Sequence, residues 1–217
     1  RLVGSEMCIR DRMYQTPIVG TVFIILIFLC NLAYAFLARW YAVLHSGVKG
    51  ERRLFRTVKK LHGTNIVFHN LPVRYKRGRS ELDMLIVCHS GVLIIEVKNH
   101  SGTISGSWRD DKWTQRKHYR DGKVTETMMD NPIKQMRRQR DIVKSILTAA
   151  GENVWIDSVL YFSSPNAKLK ISLRESDYVC CESAELLEFL KSYDSGETLS
   201  KSRMEHIAQI LRESSGV

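Results

Sequence analysis

Asp83, Glu96 and Lys98 are the side chains whose types and spacing could do chemistry, and all three fall in the 81–106 stretch ELDMLIVCHSGVLIIEVKNHSGTISG. In a β-strand alternate residues share a face, so Glu96 and Lys98 point the same way as Val92 and Ile94, while Ile95 and Val97 point the other. A carboxylate and an ammonium thus end a strand that is otherwise apolar on both sides. Burying such charges is costly without close partners. A metal ion is one good partner, and Asp83 on the adjoining strand could complete its oxygen ligation. A half-exposed Glu–Lys pair at a strand end has the same spacing, and a lone Glu-x-Lys does not separate the two.

Those residues need a scaffold. Apolar runs predict strands over residues 82–88 and 92–99, joined by the turn His89-Ser90-Gly91, where Gly91 suits a positive φ. Before them, a helix over residues 50–61 puts Leu54, Val58 and Leu61 on one stripe and ends at Gly63. Residues 65–70 form a short strand and residues 75–80, YKRGRS, a basic loop. Strands at 103–108 and 112–115 flank an Arg109-Asp110-Asp111 turn, and residues 116–127 are polar enough for a flexible hairpin. Asn131 caps and Pro132 opens a helix to about Ala150, with Ile133, Met136, Val143 and Leu147 apolar and Gly151 closing it. A strand at 154–162 follows. Ser183 caps a helix over 184–191, and Ser200 caps a last one ending near Leu211. Helix, strand meander, helix and strand together predict an α/β sandwich.

Asp83, the Gly91 turn, the apolar strand, Glu96-Val97-Lys98, Gly102 and Trp113, with Gly50-Glu51 before them and Asn131-Pro132 and Gln135 after, resemble the pattern of the nuclease-related domain, NERD. The resemblance runs from about Gly50 to about Leu147. It implies a restriction-endonuclease-like mixed β-sheet flanked by helices, of the PD-(D/E)XK nuclease superfamily. It also implies that Asp83 and Glu96 hold Mg²⁺ or Mn²⁺, with the Val97 carbonyl as a further ligand. Lys98 would position or activate the attacking water, and Glu51 and Gln135 would support the site from the flanking helices. Hard carboxylate oxygens suit these ions, which polarise a phosphoryl oxygen and acidify bound water. One departure is Leu82, which stands where the pattern often has proline before the first aspartate.

Other candidates carry less. The seven histidines show no HxxxH or HxH spacing. Ser90-Gly91 has no nucleophile-elbow context. Lys134, Arg137 and Arg138, with Arg140 near them, could track phosphates along a helix face, although a solvated helix surface has the same composition. Trp108 and Trp113 could stack on bases or pack in the core.

Composition narrows the partners. The 217 residues carry 33 Lys+Arg against 23 Asp+Glu, a formal charge of +10. That favours polyanions, either nucleic acid (DNA or RNA) or an anionic membrane face. Cys8, Cys30, Cys88, Cys180 and Cys181 match no zinc spacing and contain no CxxC, as expected of reduced structural thiols in a cytosolic setting. Residues 17–37 contain no charged side chain. As a helix that stretch rises about 32 Å, enough for a hydrocarbon core of roughly 30 Å. Trp40 and Tyr41 follow as an interfacial anchor. Arg39, Lys49, Arg52, Arg53, Arg56, Lys59 and Lys60 then predict a single-pass span with its downstream domain on the cytoplasmic side. Ala33-Tyr34-Ala35 also fits a cleavage site, and its use would make the domain secreted.

Residues 1–12, RLVGSEMCIRDR, resemble translated sequencing adaptor and are expected to be a non-native leader before Met13. The expected layout is therefore leader 1–12, transmembrane helix 17–37, nuclease-like domain 47–163, and a strand and helix extension of that domain over 164–217. The expected function is a membrane-anchored, metal-dependent nuclease. The alternative is a membrane-tethered nucleic-acid-binding or scaffolding module that keeps the fold without cutting.

Overall fold

A computed structural model describes the backbone of residues 3–61 and 64–215, and the side chains of 20–41, 47–61 and 64–215. The adaptor-like leader falls outside the described side chains, and the helix stop expected at Gly63 falls outside the described residues. The chain forms two compact units, residues 1–46 and 47–217.

In the first unit one helix, α1 (Val3–Val58), runs without a break through the uncharged stretch. Its segment Gly20–Tyr41 has a mean hydropathy of 2.4 and none of it is buried within the protein, so it is long and apolar enough to cross a membrane. Asn31 satisfies its own polarity there by donating to the Ile27 carbonyl at 2.7 Å. An apolar solvent could offer that amide no partner.

In the second unit the last turns of α1 lead into β1 (Ile66–Tyr75), β2 (Gly78–Cys88), β3 (Gly91–Lys98), β4 (Gly102–Ser107), β5 (Lys112–His118) and β6 (Val124–Asp130). There follow α2 (Pro132–Ala149), β7 (Ile156–Phe162), β8 (Ala167–Ser172), β9 (Tyr178–Cys180), α3 (Ser183–Ser192) and α4 (Lys201–Ser215). One sheet has the order β1-β2-β3-β7-β9 and the other β6-β5-β4-β8. Both are mixed. Antiparallel hairpins form one part of each, and the parallel pairs β3–β7, β7–β9 and β4–β8 the rest.

The five-stranded sheet is covered on both faces. Leu54 and Val58 of α1 and Leu186 of α3 pack on Met84, Leu93, Ile95 and Val159. Ile142, Val143 and Ile146 of α2, with Met204, Ile207 and Leu211 of α4, pack on Leu85, Val87, Val92 and Ile94. Strands buried on two faces read as continuous apolar runs, which is why β3 is so plain in the sequence. A third cluster, centred on Trp113, Ile133, Met136 and Phe162, joins the second sheet to the start of α2. Gly106 makes room for it, because a Cβ there would sit 2.2 Å from the Trp113 ring.

Asn131 ties these parts together. Its side chain accepts from the Ile133 N–H at 2.9 Å and donates to the carbonyls of Ser107 and Asp110 at 3.0 and 2.7 Å. The cap of α2 is thereby fixed to the β4–β5 turn.

The structure corrects several expectations. Residues 75–80 are the tip of a long hairpin and not a loop, with Tyr75 paired to Gly78 and Lys76 at φ +53°. The hairpin expected over 116–127 does form, as the β5–β6 ladder running from Lys112–Asp130 to His118–Val124. The 184–191 helix begins at Ser183, with Glu182 rather than Ser183 at the cap position and no side-chain cap bond. The expected mixed α/β fold with flanking helices is present, and its strands divide into two sheets because β4 pairs with the late strand β8.

Candidate functional site

The site lies where β2 and β3 part. Along β1 and β2 the inward-facing side chains switch parity. Ile66 and Phe68 lie on the α2 side, then Leu71 and Val73; across from them come Leu82, then Leu85 and Val87. The register does not slip: His69 pairs with Met84 and Leu71 with Leu82. The break falls on Asn70, at φ +47°, and on Asp83 opposite it. Asparagine tolerates that left-handed backbone better than most residues. The β2–β3 ladder stops at Met84 and Ile95. Beyond it, the Asp83 Oδ2 takes the Val97 N–H at 2.7 Å, a side chain standing in for the next backbone acceptor.

Glu96 points from β3 toward α2 and is 1% exposed. Both of its oxygens are held. Oε1 is 2.6 Å from the Lys98 Nζ, and Oε2 accepts from the Gln139 amide at 2.7 Å. Lys98 also donates to the Gln135 Oε1 at 3.0 Å. Gln135 and Gln139 stand one helical turn apart on α2, so one face of that helix reaches both ends of the ion pair. Gln139 donates as well to the Glu81 carbonyl at 3.1 Å, while its own Oε1 is buried without a partner.

Glu51 comes from α1, with Asn70 donating to its Oε2 at 3.4 Å. The approach of that helix depends on its neighbour Gly50. A Cβ on Gly50 would lie 2.9 Å from Ser163 Oγ and 3.1 Å from both Asn99 and Val97. Any other residue would force those side chains to give way where α1 meets the end of β3.

These groups line one cleft of about 660 Å³ that holds Glu51, Glu81, Asp83, Glu96, Lys98 and Gln135, with Arg74, Arg79 and Arg138 also on its wall. All three arginines are exposed, whereas Asp83 and Glu96 lie deeper. Burial, reinforced by the Glu96 charge and less by Glu51, pushes the Asp83 carboxyl up to about 7, against the opposing pull of the Val97 N–H and Lys98. Asp83 and Glu96 thus share one lysine in the depth of the cleft, while the three arginines stand at its exposed wall.

That donor set suits a hard cation. Asp83, Glu96 and the Val97 carbonyl offer only oxygen, and a positive ion would offset both the burial and the Glu96 repulsion that raise Asp83. Among the described residues no group of three or more His, Cys, Asp or Glu gathers into a full cage. Mg²⁺ needs none, since it keeps several waters and binds through one or two carboxylates plus substrate phosphate.

The structure brings Asp83, Glu96, Val97, Lys98, Glu51 and Gln135 to one cleft. It divides the three cations proposed for nucleic-acid contact. Arg138 lines the cleft. Lys134 pairs with Asp111 at 2.6 Å on the surface. Arg137 donates to both Asp177 oxygens at 2.7 Å and faces away from the cleft wall. Gln139 and Asn70 escape the sequence reading. The sign of Gln139 was a fully polar amide on the same stripe as Met136 and Val143, which an all-apolar stripe would not contain. Asn70 gives no signal beyond its residue type.

A helix, a three-stranded meander, a second helix and a parallel strand, with two acids and a lysine where the meander ends, define a nuclease-like α/β fold. The family model described as nuclease-related domain, NERD, matches residues 46–163, and the chain belongs to that family. NERD is assigned to the PD-(D/E)XK superfamily. An uncharacterized protein of Bacillus anthracis is 34% identical over 71 residues, 32% of this chain, and the chain spans about a third (34%) of that relative's length. No solved structure matches the chain.

Proposed function

We propose that this protein is a membrane-anchored, metal-dependent nuclease that hydrolyses phosphodiester bonds of DNA or RNA. The observation that carries this reading is the buried Glu96–Lys98 pair, braced by Gln135 and Gln139 and set in one cleft with Asp83. A pair needed only for packing would be replaceable by apolar side chains at little cost, so its presence at the floor of a cleft speaks for chemistry. Asp83, Glu96 and the Val97 carbonyl would hold Mg²⁺ or Mn²⁺, which when bound polarises a phosphoryl oxygen and acidifies a water.

The chain's own groups do the rest. Lys98, held between Glu96 and Gln135, keeps its ammonium fixed where it can orient the attacking water and offset charge gathering on the phosphoryl oxygens. Gln139 holds the Glu96 carboxylate by Oε2 while Lys98 holds it by Oε1. Arg74, Arg79 and Arg138 receive the flanking phosphates. The apolar helix anchors the protein, with residues 47–217 on the cytoplasmic side.

The test uses the full chain in detergent micelles with labelled DNA and RNA, in Mg²⁺, in Mn²⁺ and in chelator. Cleavage that requires the metal and disappears in Glu96→Gln is expected. Nucleic-acid binding with no cleavage under any condition would replace this reading by the non-cleaving module. Amino-terminal sequencing of the protein from cells addresses the anchor: a mature chain beginning at Phe36 would make the domain secreted.

A further inference from the structure

We propose that the cluster built on Trp108 is a second phosphate-binding site, which grips the nucleic-acid backbone one helix face away from the Asp83–Glu96 cleft. The choice of nucleic acid as ligand rests on the nuclease reading. The site itself rests on different residues.

Three guanidinium groups surround one indole. The Arg174, Arg109 and Arg137 carbons lie 3.7, 4.8 and 5.5 Å from the centre of the Trp108 ring. Significant cation–π contacts occur about once per 70–80 residues, so three on a single ring is a concentration. They arrive from three separate places: the β4–β5 turn, α2, and the segment after β8. Like charges gathered this closely repel, and a ring quadrupole offsets only part of that.

The neighbouring acids are mostly committed elsewhere. Asp177 accepts from Arg137 through both oxygens and also takes the Arg174 backbone N–H at 3.0 Å. It therefore fixes the turn that carries Arg174 while neutralising Arg137. Asp110 accepts the Ser107 N–H at 2.7 Å, and Asp111 pairs with Lys134. Glu175 is exposed and forms no salt bridge among the described residues. Arg109 and Arg174 are likewise exposed and form none. Two cations thus lie against the ring without a salt-bridge partner among the described residues.

The ligand follows from the geometry. A guanidinium at 3.7 Å covers the ring, so Trp108 has little face left for a base. A stacked guanidinium still presents its N–H edge, which matches phosphate oxygens in a fork. The platform therefore selects phosphate and ignores sequence. It is also close to the cleft in helical terms. Arg137 precedes Arg138, which lines the cleft, and successive residues are about 100° apart on a helix roughly 10 Å wide.

The experiment measures equilibrium binding of a labelled duplex and a labelled single strand to the full chain in micelles. Chelator is present to prevent cleavage, and salt runs from about 50 to 200 mM. The double variant Arg109→Ala, Arg174→Ala is expected to bind all sequences more weakly and to lower the duplex salt slope by about 1.8, roughly 0.9 per lost phosphate contact. Trp108→Leu keeps an apolar plug but loses the ring, and is expected to weaken binding in the same sense with an unchanged melting temperature. Wild-type affinity and slope in a folded double variant would overturn the proposal. So would loss of binding to phosphatidylglycerol vesicles with nucleic-acid binding intact, which would assign the platform to lipid. Wild-type protein that binds through these arginines but never cleaves in Mg²⁺ sinks the nuclease reading and leaves the platform standing.

Discussion

Two ion pairs on two sheets invite comparison. At the end of the five-stranded sheet, Glu96 and Lys98 meet at 2.6 Å with side-chain exposures of 1% and 22%. On the four-stranded sheet, Arg116 and Glu126 meet across β5 and β6 at 2.9 Å, with 58% and 52% exposed. The partners and distances are alike, but the surroundings are opposite. Arg116 and Glu126 stand in water on a hairpin, where ion pairs contribute about 0–1 kcal/mol and salt screens them. Glu96 is sealed under α2, and two glutamines on that helix hold it and its lysine. The fold therefore sustains a charged group at the first place only by surrounding it, and needs nothing of the kind at the second.

Substitutions can break this contrast, and the largest effect belongs to Lys98→Ala. It leaves the Glu96 carboxylate buried without its cation, and the domain should lose about 3–5 kcal/mol in urea unfolding. The double variant Glu96→Gln, Lys98→Met should recover most of that loss, since no charge is then stranded. Next comes chemistry. Glu96→Gln should lower metal-dependent cleavage about 10²–10³-fold while nucleic-acid affinity changes far less. Cleavage at the wild-type rate would place the reaction elsewhere.

Asp83 supplies a pH dependence. Its folded pKa lies above the unfolded value, so between about pH 4 and pH 7 the folded chain holds a proton that the unfolded chain has released. The stability contributed by this group therefore falls as pH rises through that window and is level above it. In chelator, Asp83→Asn should flatten that slope. At pH 8 it should stabilise the domain by an amount on the order of 2–4 kcal/mol, with little change at pH 4. Thermal melts across that range measure it. A smaller effect is expected of Gln139→Met, which removes the donor to Glu96 at similar volume. It should cost about 1–3 kcal/mol and slow cleavage, with nucleic-acid binding preserved. Smallest of all, Arg116→Ala should shift stability by no more than about 0.5 kcal/mol. A larger shift would show that the exposed hairpin bears weight and would undo the contrast.

What the sequence made legible follows the same division. The β2–β3 hairpin is written in an apolar run with Gly91 at its turn, and α2 announces itself by Asn131-Pro132. Burial on both faces leaves a strong hydrophobic imprint, and the acids and lysine stand out against it. The β1–β2 tip leaves none, and the β5–β6 hairpin leaves only a polar stretch without an apolar alternation. Their residues are largely exposed, β6 on nearly every position, so polarity there resembles a loop. The second sheet was hidden because its β4–β8 pairing joins residues 65 positions apart. The partner of Arg137 was hidden for the same reason, as Asp177 lies 40 residues on. Gln139 was hidden for a different one: whether a lone amide on an apolar stripe is buried or turned outward depends on what faces it, and Glu96 faces it from another element.

The strand order β1-β2-β3-β7-β9 also sets a timetable for synthesis. β3 is central in the finished sheet, yet its parallel partner β7 begins at Ile156, nearly sixty residues after β3 ends at Lys98. At about 5–20 residues per second, β3 waits roughly 3–12 s as an open edge of Val, Leu and Ile. During that interval it is the segment of the nascent chain most able to pair with another molecule, and it carries Glu96 and Lys98 before Gln135 and Gln139 have been made. Ribosomes crowded along one message would therefore display several such edges at once, a setting in which a chaperone that covers extended apolar strands should raise the yield of folded protein.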